Sequence, residues 1–125
     1  MKLIDANILI RYLLNDHPEM SAKAKEIMLN NTILILTQVI AEVVYVLSGV
    51  YNIERVNIAT ALLKVSEIPN VHLENNDVVL LAMNEFRNSN LDFVDELLYA
   101  YHQVYGYPVE TFDKKLNRKL NLAQP

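Results

Sequence analysis

The chain has no cysteine among its 125 residues. Structural disulfides, thiolate zinc sites, iron–sulfur clusters and cysteine nucleophiles are therefore excluded. It has only two glycines, Gly49 and Gly106, which rules out a glycine-rich nucleotide-binding loop. Gly-x-Ser-x-Gly and His-Glu-x-x-His are also missing. No linker, repeat or low-complexity run breaks the chain, and its length predicts one domain over residues 1–125. A basic excess is lacking too: the formal net charge is −4, a poor signature for a general nucleic-acid binder. Any nucleic-acid role must then use local basic groups or a metal. The apolar run from Thr32 to Tyr51 is not read as a membrane span, because Gln38 and Glu42 fall inside it and a central acid is costly in lipid. Charges at Lys2 and Asp5 come too early for a signal peptide. The expectation is a soluble, cytoplasmic protein.

Apolar residues make up 52% of the chain, enough for a core and for a subunit interface. Short β-branched or apolar runs predict strands over residues 2–4, 32–36, 71–73 and 109–112. Helical stripes predict helices over 7–15, from Pro18 onward, from a Thr37 cap to Gly49, and over 57–68 and 77–86. A further helix runs from an Asp92 cap to Tyr105, stopped by Gly106. Alternating strands and helices predict an α/β fold with a short central parallel sheet of four to five strands surrounded by helices. Right-handed crossovers bring the strand C-terminal ends to one edge, where ligands bind in open α/β sheets.

Four acids stand at positions that need explaining. Glu42 is the only charged residue between Ile27 and Ile53, inside a stretch that otherwise belongs in a core. A buried carboxylate costs several kcal/mol unless paired. Asp5 closes an apolar segment near the N-terminus, Asp113 closes one near the C-terminus, and Asp95 opens a helical stretch. Taken alone, Asp5 reads first as a helix N-cap and Asp113 equally as a cap or a ligand, while Asp92 is better read as a cap than as a ligand. Taken together, hard oxygen donors without a histidine cluster select Mg²⁺ or Mn²⁺ over zinc or copper. His17, His72 and His102 read as structural or surface groups, and Tyr99, Tyr101, Tyr105 and Tyr107 mostly as core or interface, with base stacking the alternative for one or two of them. Lys114, Lys115, Arg118 and Lys119 beside Asp113 form either a solvated helix face or a phosphate contact. Arg11 is another candidate phosphate contact, unless it pairs with an acid.

These residues resemble the motifs of the PIN-domain family, in particular its VapC-type toxins. The resemblance runs through Leu3-Ile4-Asp5-Ala6-Asn7, the helix Val39-Ile40-Ala41-Glu42-Val43-Val44, Leu91-Asp92-Phe93-Val94-Asp95-Glu96 and Val109-Glu110-Thr111-Phe112-Asp113. The order and spacing of four such motifs cover nearly the whole chain. The resemblance implies a PIN-like three-layer fold and a Mg²⁺- or Mn²⁺-dependent ribonuclease, the toxin of a type II toxin–antitoxin pair. Asp5, Glu42, Asp95 and Asp113 match its acidic quartet, and Asn7 and Thr111 its supporting polar positions; Asp92 is either an extra ligand or the cap. The implied reaction is in-line attack of a metal-activated water on an RNA phosphodiester. Implied partners are RNA, a second copy in a homodimer, and a cognate antitoxin. Two other readings stand beside it. One is a catalytically silent interaction module of the same fold. The other is a receiver-like phospho-acceptor domain, disfavoured because Ile4-Asp5-Ala6 offers a single acid after the first strand.

Overall fold

A computed structural model describes residues 1–122. Three short strands form a parallel sheet: β1 (Lys2–Leu3), β2 (Ile33–Ile35) and β3 (Val71–Leu73), in the order β1-β2-β3. The register sets Leu3 opposite Leu34 and Ile33 opposite Val71. Helices α1 (Ala6–Leu14) and α2 (Pro18–Asn30) connect β1 to β2, and α3 (Thr37–Gly49) and α4 (Arg55–Ser66) connect β2 to β3. Helices α5 (Asn76–Asn88), α6 (Phe93–Tyr105) and α7 (Lys114–Leu122) follow. No helix among the described residues is long and apolar enough to cross a membrane.

The strands are short because the apolar runs are short. In β2 and β3, Ile33, Ile35, Val71 and Leu73 point into the core, while His72 stays exposed. Leu9, Met28, Ile40, Val43, Leu47, Ile58, Leu62, Val79 and Met83 complete that core, one buried stripe per helix. Phe86 of α5 meets Phe93 of α6 edge-on at 5.7 Å. A smaller cluster of Leu91, Leu116 and Leu120, with Tyr99 and Val109 against it, holds α7 on α6.

Two expectations are corrected. The sheet has three strands among the described residues, not four to five, and Val109–Phe112 is not one of them. The polar groups of that segment find partners locally. Thr111 Oγ1 accepts the Asp113 backbone N–H at 3.0 Å, and the Thr111 carbonyl accepts from Asn117 Nδ2 at 2.8 Å. Such side-chain bonds compete with a strand ladder. Thr37 is not the cap of α3 either. It is the first helical residue, its N–H donating to Glu74 Oε1 at 3.0 Å and its hydroxyl to the Glu74 carbonyl at 3.1 Å. This ties the C-terminal ends of β2 and β3 together.

Candidate active site

The acids fall into two groups in space. Asp95, on the first turn of α6, and Asp113, just before α7, line one cleft of about 280 Å³ together with Asp92. Asn90, Leu91, Lys114 and Lys115 form the rest of its wall. The turn between α5 and α6 and the start of α7 therefore build the site. Arg55 of α4 fixes that turn. Its guanidinium lies over the Phe86 ring at 3.7 Å, and it donates to the carbonyls of Phe86 and Leu91.

Asp95 is half-buried and accepts no hydrogen bond from the described residues. Its carboxyl holds its proton above the ordinary aspartate range. Loss of solvation is the largest cause, followed by the negative charges of Asp113, Asp92 and Glu96. Asp113 and Asp92 thus sit close enough to oppose the ionisation of Asp95, which a bound cation would relieve. Asp113 spends one oxygen locally: Oδ1 accepts the Leu116 N–H at 2.8 Å, the pattern of a helix N-cap. Its other oxygen remains for the cleft. Asp92 is the N-cap residue of α6 but makes no side-chain cap bond, so its carboxylate is not committed to the helix as the capping reading requires.

Asp5 and Glu42 do not line this cleft. Asp5 lies just past β1, exposed, with Oδ1 accepting the Ile8 N–H at 3.0 Å as the N-cap of α1. Asn7 is exposed one step into that helix. Glu42 corrects the expectation of a buried acid. It is exposed on α3, in a stripe with Gln38, Tyr45 and Ser48 at spacings of four, three and three residues. Among the described residues, no three Asp, Glu or His side chains are arranged to hold one ion.

The buried acid is a different one, Glu96, which is 0% exposed. It accepts from the Ser89 hydroxyl and from Lys119 Nζ, the latter at 2.7 Å. Lys119 also reaches Glu85 at 2.9 Å and lies over the Tyr99 ring at 4.5 Å. Burial works against its charge, yet the hydrogen bonds to Glu85 and Glu96 prevail and hold its proton above the ordinary lysine range. This network sits behind the cleft and locks α5, α6 and α7 together. The sequence carried one signal of it: Glu96 falls at helical spacing between Phe93 and Ala100, both buried.

The remaining candidates sort as follows. Arg11 is not free for phosphate; it pairs with Asp16 at 2.7 Å and donates to the Tyr51 hydroxyl at 2.6 Å. Lys114, Lys115 and Arg118 form no ion pair among the described residues. His17 caps α2 through Nδ1, and His102 Nδ1 meets the Tyr107 carbonyl at 2.8 Å, both structural uses. Tyr99 and Tyr101 are half-buried, whereas Tyr105 and Tyr107 are exposed and stacked on each other at 5.4 Å rather than in the core.

An all-oxygen donor set suits a hard divalent cation. Mg²⁺ commonly keeps most of its waters and takes only one or two protein carboxylates. Asp95 and Asp113, which line one cleft, are the carboxylates that would serve such an ion; a four-carboxylate cage is not what this geometry offers. No curated protein and no solved structure matches the chain. The family model described as PIN domain matches residues 2–120. Over nearly its whole length, from β1 through α7, the chain thus belongs to the PIN domain family, whose members are generally nucleases and often part of toxin–antitoxin systems.

Proposed function

We propose that the chain is a Mg²⁺- or Mn²⁺-dependent endoribonuclease working at the Asp95–Asp113 cleft, and the toxin of a type II toxin–antitoxin pair. The observation that carries this reading is the crowding of Asp95 by Asp113 and Asp92 beside two unpaired lysines, in a member of a nuclease family. Structural carboxylates are satisfied by caps or ion pairs; Asp95 has neither. A divalent ion bound here supplies charge that activates water and offsets the phosphodiester. The protein's own part is to hold the two carboxylates in place. Thr111 fixes the backbone at Asp113, and Leu116 N–H fixes one carboxylate oxygen. Lys114 and Lys115 balance the phosphate charge on the same wall.

The family motifs extend the acidic set to Asp5 and Glu42, supported by Asn7. Neither acid lines the cleft, so their variants separate a two-carboxylate site from a four-carboxylate one. Asp95→Asn is expected to lower cleavage of single-stranded RNA in Mg²⁺ or Mn²⁺ by at least about a hundredfold, the scale of losing a group that acts on developing charge. Undiminished cleavage refutes the assignment. Loss of cleavage in Asp5→Asn and Glu42→Gln extends the site to them; retention confines it to the cleft.

The reading includes a cytoplasmic homodimer and a cognate antitoxin. Exposed Tyr45, Val50, Val94 and Leu98 on and beside α3 and α6 support a protein partner. A short neighbouring reading frame encoding a DNA-binding protein is the observation that tests the toxin assignment. One observation favours the silent interaction module instead: no three acids of the described residues surround a common centre. Calorimetric titration with Mn²⁺ separates the two, because the module binds none.

A further inference from the structure

A second cleft adjoins the acidic one. It encloses about 430 Å³, within the range of small-ligand sites. Asn90, Leu91 and Lys115 line both clefts, so the two share a wall. Tyr99 of α6 and Arg118 of α7 belong to the second alone. Its chemistry differs from that of the first: no acid lines it, and its cations stand on one face of α7, with Lys115 and Arg118 three residues apart.

Each kind of group here has a counterpart in a nucleotide. Lys115 and Arg118 form no ion pair among the described residues, so both charges remain for a phosphate. Lys119, in the same wall, is already committed to Glu85 and Glu96 and serves to hold the Tyr99 ring. Half-buried Tyr99 offers aromatic surface to a base, and Leu91, buried in the core cluster beneath it, supplies only the floor. The Asn90 side-chain amide makes no hydrogen bond to the described residues and carries both donors and an acceptor for a base edge. A solvated helix face explains exposed Lys115 and Arg118, but not a cavity that joins them to a half-buried tyrosine and an exposed amide free of partners among the described residues.

We propose that this cleft binds the RNA nucleotide next to the scissile phosphodiester, with its base against Tyr99 and Leu91 and its phosphate on Lys115 and Arg118. The proposal rests on the RNA-cleaving reading of the adjoining acids and adds to it the site that seats substrate. It makes Tyr99, Asn90 and Arg118 binding residues.

The test is fluorescence anisotropy of a labelled single-stranded RNA oligonucleotide on the full chain in EDTA, where cleavage does not interfere. Tyr99→Leu and Arg118→Gln are each expected to raise Kd by about three- to tenfold. Lys23→Gln, a cation exposed on α2 far from the cleft in sequence, serves as the control and leaves Kd unchanged. Tyr99 packs on the Leu91–Leu116–Leu120 cluster, so its variant is checked by thermal melting; Arg118 is exposed, and its variant decides the matter if Tyr99→Leu unfolds. Wild-type affinity in Arg118→Gln, or no measurable binding by the wild type, overturns the proposal. Its failure is separable from that of the nuclease reading. Weakened binding in Arg118→Gln with full cleavage by Asp95→Asn upholds the cleft and removes the catalytic assignment. Unchanged binding with cleavage lost in Asp95→Asn does the reverse.

Discussion

At the scale of the residue, Asp95 and Glu96 are neighbours with opposite fates. Glu96 faces inward, where Lys119 and Ser89 meet its charge; Asp95 lines the cleft, where Asp113 and Asp92 oppose its own. Asp95 therefore has a measurable signature in stability. Its folded-state pKa lies above the ordinary aspartate value, so the folded protein holds this proton more tightly than the unfolded chain does. That contribution is fully present below the unfolded pKa and is lost as pH rises through the raised folded one. At pH 7 without metal the ionised group opposes folding. Asp95→Asn is accordingly expected to have a higher urea midpoint than the wild type near pH 7, with the difference shrinking as pH falls to about 4. Added Mg²⁺ or Mn²⁺ is expected to raise the wild-type midpoint and leave that of Asp95→Asn in place. Equal midpoints at every pH remove the crowding argument. The sequence alone pointed to Glu42 as the strained acid because its neighbours are apolar. Composition misled there: α3 exposes one narrow stripe, and Glu42 lies on it. Glu96 went unnoticed because its partner stands 23 residues away.

At the scale of the element, the α5–α6–α7 unit carries the site, and Lys119 is its tie. Removing the cation that pairs directly with a buried charge is costly, about 3–5 kcal/mol. The Lys119 side chain keeps 20% exposure, which places Lys119→Met near the lower end, about 3 kcal/mol. Chemical denaturation is expected to show that loss, and Glu96→Gln in the same chain to restore more than half of it, since the uncompensated charge is then gone. A cost unchanged by the second substitution means that α7 is held by Leu116 and Leu120 alone. Most elements were legible in the sequence. The β3 bounds agree with the expected 71–73, and α6 ends at Gly106, whose φ of +73° suits glycine. Strand Val109–Phe112 was not legible, because its β-branched and aromatic pattern says nothing of the Asn117 and Thr111 side chains that occupy its polar groups instead. The same locality explains the acids. Asp95 and Asp113 come together because α7 docks on α6. Asp5 stays with α1 because the cap bond to Ile8 holds it there.

At the scale of the whole molecule, a net charge of −4 sets how such a chain can hold RNA at all. The field of the protein repels a polyanion, so affinity must come from the few cations that no acid neutralises. Near the clefts these are Lys114, Lys115 and Arg118. For single strands each neutralised phosphate contributes a slope of about −0.7 in log affinity against log salt, so three cations predict about −2. Anisotropy titrations of a single-stranded RNA between about 50 and 300 mM KCl measure that slope directly. Arg118→Gln is expected to flatten it by about one contact, whereas Lys23→Gln leaves it alone. A slope steeper than about −4 requires a broad basic face elsewhere on the protein or on a second copy, and then the two clefts are not where most of the binding free energy arises. A shallow slope means instead that selectivity has to come from how the base is seated, because so few charges leave little sequence-independent attraction for the strand to rely on.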